Sequence, residues 1–149
     1  MRKLGMLAAL LAWMFLPGAL AFAQAQTAPP AKACQEDETV VNSILKHLNE
    51  TVDMVKKESV DDFVQKYHQQ VVGSRLSTTV VMTNILLDCL DKASKDPSTP
   101  KTDLASIKAS QDTYAKLKNT MQQDVDTLKN TKDPKIAKAD ISNYNFSTQ

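Results

Sequence analysis

Apolar residues in this chain recur at helical intervals, and no segment alternates with the two-residue period of a strand. Val41, Leu45, Leu48, Val52 and Val55 follow one another at spacings of 4, 3, 4 and 3, which puts all five on one face of a helix beginning near Glu36. Glu36, Asp37 and Glu38 would stand at its start and Lys56 and Lys57 at its end, the order the helix dipole favours. Ser59-Val60-Asp61-Asp62 resembles a capping box, with Asp in place of Glu or Gln, and predicts a second helix from there to about Ala93. At 100° per residue, one face of that helix collects Val60, Phe63, Val64, Tyr67, Val71, Val81, Met82, Ile85 and Cys89. Thr99-Pro100 reads as an N-cap followed by proline at the first helical position. The third helix then carries Leu104, Ile107, Tyr114, Leu117, Met121, Val125 and Leu128 in a near-heptad stripe. Asp133-Pro134 restarts a short helix to about Ile141, ahead of a polar tail over residues 143–149. The expected fold is all-α: an up-down-up bundle of three main helices with a short C-terminal fourth.

The second helix carries another stripe, roughly 120° to 200° from the first: Val72, Leu76, Val80, Leu87 and Leu90. It is confined to the half after Gly73. Core is one reading, with this half touching both neighbouring helices. An exposed face for a partner helix, a client chain or a second copy is the other. Gly73 and Ser77 would permit close helix approach. A rival turn at Gly73-Ser74 would make the first helix nearly forty residues long, beyond the usual range.

The two cysteines discriminate between these turns. If the first turn lies near residues 58 and 59, Asp37 faces Val80, and three extended residues back to Cys34 reach roughly 10 Å further. At 1.5 Å per residue the second helix covers that by about residue 87, within reach of Cys89. A turn at Gly73 leaves the two cysteines far apart. A Cys34–Cys89 disulfide and the Ser59 turn therefore support each other.

The N-terminus explains why such a bond would persist. Met1-Arg2-Lys3 precedes an uncharged apolar run from Leu4 to Leu16, broken by Pro17-Gly18 and followed by Ala21-Phe22-Ala23. A basic start, a short apolar core and a small-x-small end are the marks of an export signal over residues 1–23. Residues 24–35 then form an extended leader, 36–142 the helical domain, and the expected location is periplasmic or secreted. No later stretch is apolar enough to span a membrane. Export favours pairing of the cysteines.

Composition narrows the function more than it names it. Removal of residues 1–23 leaves 16 of the 18 basic residues against 17 acidic ones, a formal net charge of −1. Arg75 becomes the sole arginine, so a nucleic-acid partner is not expected. Gly73 becomes the sole glycine, which disfavours phosphate-cradling loops. His47-x-x-Glu50 shares a helical face, but a di-iron bundle needs Glu-x-x-His twice with further glutamates. His68 sits between the apolar and polar faces. Met54, Met82 and Met121 could serve as axial ligands only in a non-covalent haem protein, since C-x-x-C-H is absent. Asp61-Asp62 reads as a helix first turn. Asn49-Glu50-Thr51 and Asn145-Phe146-Ser147 match the glycosylation pattern, which matters only in a eukaryotic source. Neither catalytic nor metal-binding residues nor a cofactor can be singled out. The expected class is a non-enzymatic binding or interaction protein of the cell envelope, chaperone-like or an adaptor, with a protein partner or self-association. The alternative is a four-helix electron carrier with non-covalent haem.

Overall fold

Ser59 starts the turn that organises the bundle. Its hydroxyl accepts from the Asp62 N–H at 3.0 Å, the first half of the expected box, and donates to Asp62 Oδ2 at 2.8 Å in place of a return bond to the Ser59 backbone. In the computed structural model, which describes residues 30–147, α1 (Pro30–Lys57) ends just before this cap. There follow α2 (Val60–Gln65), α3 (His68–Lys95), α4 (Lys101–Asn130) and α5 (Pro134–Ser142). The export signal over 1–23, the first part of the leader, and residues 148 and 149 lie outside the described residues.

α1 begins at Pro30, so residues 30–35 are helical where an extended leader was expected, and Glu36 to Glu38 stand inside the helix. Alanine at 31 and 33 has high helix propensity, which favours helix in this stretch. Cys34 and Cys89 are bonded, 5.7 Å apart at Cα. Cys34 lies 23 residues before the end of α1 (57 − 34) and Cys89 lies 21 after the start of α3 (89 − 68), so an antiparallel hairpin brings them level. Gln69 at the start of α3 donates to the carbonyls of Leu128 and Thr131 at the end of α4, which makes that pair antiparallel too. The all-α, up-down-up order of the three main helices therefore stands.

The second helix departs from expectation. It breaks at Tyr67, whose φ of 54° lies in the left-handed region that a bulky side chain disfavours. The break lets Phe63 bury fully and brings His68 edge-on to its ring, with centroids 6.4 Å apart. His68 Nδ1 also lies 2.7 Å from Glu58 Oε1, in an alignment too poor to count as a hydrogen bond. Because the chain turns here, the helical phase carried forward from Val60 no longer holds beyond it. Val64, Val81 and Ile85 are 48%, 57% and 46% exposed and Tyr67 is 69% exposed, although all four belonged to the expected core face. Phe63 is buried, and Met82 and Cys89 are partly buried against the core.

The core is instead reached by the second stripe. Val72, Leu76, Val80 and Leu90 are buried, with Leu86 beside them, and Leu87 packs half-buried against them. α3 lies between α1 and α4 and takes side chains from both. Thr79 and Thr83 are buried with them. Each hydroxyl donates to a carbonyl one turn back, at 2.7 and 2.8 Å, so burial leaves neither unsatisfied.

The other stripes hold more closely. Val41, Leu45, Leu48, Val52 and Val55 of α1 are all buried. So are the expected α4 positions except Leu104, which is 37% exposed near the helix start. Thr99 turns backwards: its hydroxyl donates to the Ala93 carbonyl at 2.6 Å and closes α3, while Pro100 caps α4. Asp133 caps α5 through the Lys135 N–H, and Ala137 and Ile141 bury against the hairpin. The tail beyond is not merely polar. Asn49 pairs with the Phe146 backbone through N–H (3.1 Å) and carbonyl (2.7 Å), and Phe146 is 3% exposed. Among the described residues, no helix is long and apolar enough to cross a membrane.

Candidate functional site

A cleft with room for a ligand lies between the start of α3 and the end of α4. Gln69, Gln70, Gly73, Ser74 and Ser77 form one wall and Val125, Leu128, Lys129, Thr131 and Lys132 the other, around a cleft of about 630 Å³. That is the size range of small-molecule sites. Gln69 fixes the two walls relative to each other, through its bonds of 2.9 Å to Leu128 and 2.7 Å to Thr131.

Gly73 is the informative residue. In the interior of a 28-residue helix a glycine costs about 1 kcal/mol relative to alanine. Two structural reasons could offset that cost, and neither applies. Gly73 is not at positive φ, and a Cβ built on it would meet nothing within 4 Å. The close helix approach expected at Gly73 and Ser77 is therefore absent: the glycine faces open space. Its effect is to leave the cleft wall bare down to the backbone.

The chemistry of the lining is limited. It contains two lysines and no Asp, Glu, His or Cys. Ser77 Oγ donates to the Gly73 carbonyl at 2.9 Å, and among the described residues neither serine is hydrogen-bonded to a lysine. Three further clefts each carry a carboxylate: Glu50 and Asp53 in one, Asp53 in the next, Glu38 in the third.

The residues singled out in the sequence do not converge on this cleft. Val72, Leu76, Val80 and Leu90 are core, and Leu87 packs against it, so of the two readings of this stripe the core one fits and an exposed partner face does not. The first stripe is the one left largely outward, with Val81 and Ile85 exposed. His47 pairs with Glu50 at 3.0 Å on the exposed side of α1, and His68 faces Glu58. Met54 is exposed, Met82 half-buried and Met121 fully buried, and no histidine or methionine lines any of the four clefts. No group of three or more His, Cys, Asp or Glu with metal-binding geometry occurs among the described residues. Asn49 is committed to the tail, while Asn145 is exposed.

Two tyrosine environments escaped the sequence reading. Tyr114 bridges α4 to α1 through Glu38 (3.0 Å) and Asn42 (3.2 Å), and burial, with Glu38 beside it, pushes its hydroxyl up to about 12. Asp124 is pushed up to about 6, first by burial and then by Asp140. The Tyr144 hydroxyl is also raised, by burial and by those two carboxyls, and is buried without a hydrogen-bond partner. Their coupling joins α4 to α5 and the tail, positions no local pattern connects. The cleft itself had one sequence signal, a lone glycine inside a helix followed by serines. Comparison with protein-family models, curated proteins and solved structures finds no match to this chain.

Proposed function

We propose that this chain is a non-enzymatic binding protein of an oxidising, exported compartment, and that the α3–α4 cleft is its binding site. The observation that carries the reading is Gly73: a helix-weakening residue that no turn or contact requires, at the bare wall of a cleft. The absence of acidic, imidazole and thiol groups from the lining supports binding over catalysis. The Cys34–Cys89 bond and the signal-like residues 1–23 support export. With the second stripe buried, the cleft and not that face of α3 is open to a ligand.

A fragment mixture screened by amide chemical-shift mapping on the oxidised protein tests this. Perturbations should cluster at Gly73, Ser74, Ser77 and Lys129. Gly73→Leu, whose side chain enters open space, should retain the helical fold and lose those perturbations. Shifts scattered over the surface, or unaltered in Gly73→Leu, would overturn the reading.

A further inference from the structure

We infer that the α3–α4 cleft selects an organic carboxylate with a slender apolar body, a ligand class that rests on the cleft being the binding site. Charge decides the sign. Lys129 and Lys132 are the charged lining residues, both exposed, and neither forms an ion pair among the described residues. The carboxylates nearest in sequence are turned to other partners: Asp126 accepts from Gln122 at 3.1 Å, and Asp133 caps α5 at 2.8 Å. Three other clefts each hold a carboxylate, accompanied by Lys46 in one and Lys56 in another, so the α3–α4 cleft differs from them in carrying lysines without a carboxylate.

Shape decides the body. A volume of about 630 Å³ is far more than a bare inorganic anion fills. Val125 and Leu128 supply buried apolar surface to the α4 wall, and the methylene stems of the two lysines can cover an apolar chain while their ammonium groups stay in water. At Gly73 no side chain intervenes, so such a chain can lie against the α3 backbone. Ser74 and Gln70 offer further donors to the carboxylate.

The probes are octanoate, octan-1-ol and octylammonium, titrated into the oxidised protein with amide shifts as the readout. Octanoate should move the cleft amides at lower concentration than the other two. Replacing both lysines (Lys129→Gln with Lys132→Gln) should weaken octanoate by roughly tenfold, as two exposed charge contacts would, and leave octanol unchanged. Raising the salt concentration should weaken octanoate alone. Equal or better binding of octanol or octylammonium at the same amides would overturn the carboxylate class while leaving the cleft as a site. No shift at the cleft with any of the three would overturn the inference too, and the fragment screen then decides the site separately.

Discussion

α1 and α3 are both 28 residues long and packed along each other, yet only one of them buries the face its apolar pattern announces. α1 packs chiefly on α3, with α5 as a smaller second neighbour, and its five stripe residues are all core. α3 has α1 on one side and α4 on the other, so its buried positions spread around the helix. Two of them, Thr79 and Thr83, are polar and vanish from an apolar count, while the apolar Val81 and Ile85 face outward. A threonine that bonds its own helix one turn back can be core, and a valine can be surface. The difference teaches that a stripe identifies the buried face reliably when one neighbour dominates the packing of a helix, as α3 does for α1, and poorly when two large neighbours share it.

The sharpest way to break this comparison is a charge on each face of α3. Leu76→Asp would bury an unpaired carboxylate and should unfold the domain outright, whereas Ile85→Asp should leave the helical signal and the melting temperature close to those of the parent. Circular dichroism melts of both variants read this directly. An unfolded Ile85→Asp protein would restore the discarded face as core.

Next in size is the bond that sets α1 and α3 in register. It closes 55 residues, and the Cys34→Ala, Cys89→Ala pair should lose about 4 kcal/mol in the chain-entropy account. Denaturant unfolding of oxidised protein against the double variant measures it. A loss under about 1 kcal/mol would mean that helix packing alone sets the register.

The break between α2 and α3 is tested by Tyr67→Gly. Glycine takes the left-handed backbone without the side-chain penalty, and little packing is lost from a residue so exposed. The variant should gain about 0.5–1 kcal/mol in denaturant unfolding, where the same change at any α1 stripe position should destabilise.

The smallest effect concerns Asp124, where α5 and the tail alter an α4 position. Its folded pKa, about 6, lies above its ordinary value of 3.8, so its contribution to stability is fully present below about 3.8 and is lost as pH rises through about 6. Asp124→Asn should therefore stabilise the protein at pH 7, by about 0.5–1 kcal/mol once the side chain's solvent exposure is allowed for, and the gain should fade below pH 4. Melting temperatures of parent and variant across pH 3.5 to 7.5 check the sign. A pH-independent difference would point to packing and not to the carboxyl pair.

Sequence by itself determined the helical class, the Ser59 and Asp133 caps, the single stripe of α1 and the cysteine pairing. Each rests on interactions within a few residues or on a helix with one buried side, apart from the cysteine pair. That pairing was reached with two compensating displacements. The turn is longer than the Ser59 cap alone implies, because α2 and Tyr67 extend it, and Cys34 is helical, so no extended leader is needed. What only the tertiary structure decided is which side of α3 is core, the docking of Phe146 on Asn49, and the coupling of Asp124 to Asp140. The cleft belongs there as well. Gly73 was visible as a lone glycine, but whether it admits a neighbouring helix or a ligand depends on where α4 passes, and α4 leaves it open. Local hydrogen bonds and periodicity are written in adjacent residues, whereas burial is a property of what another part of the chain brings alongside.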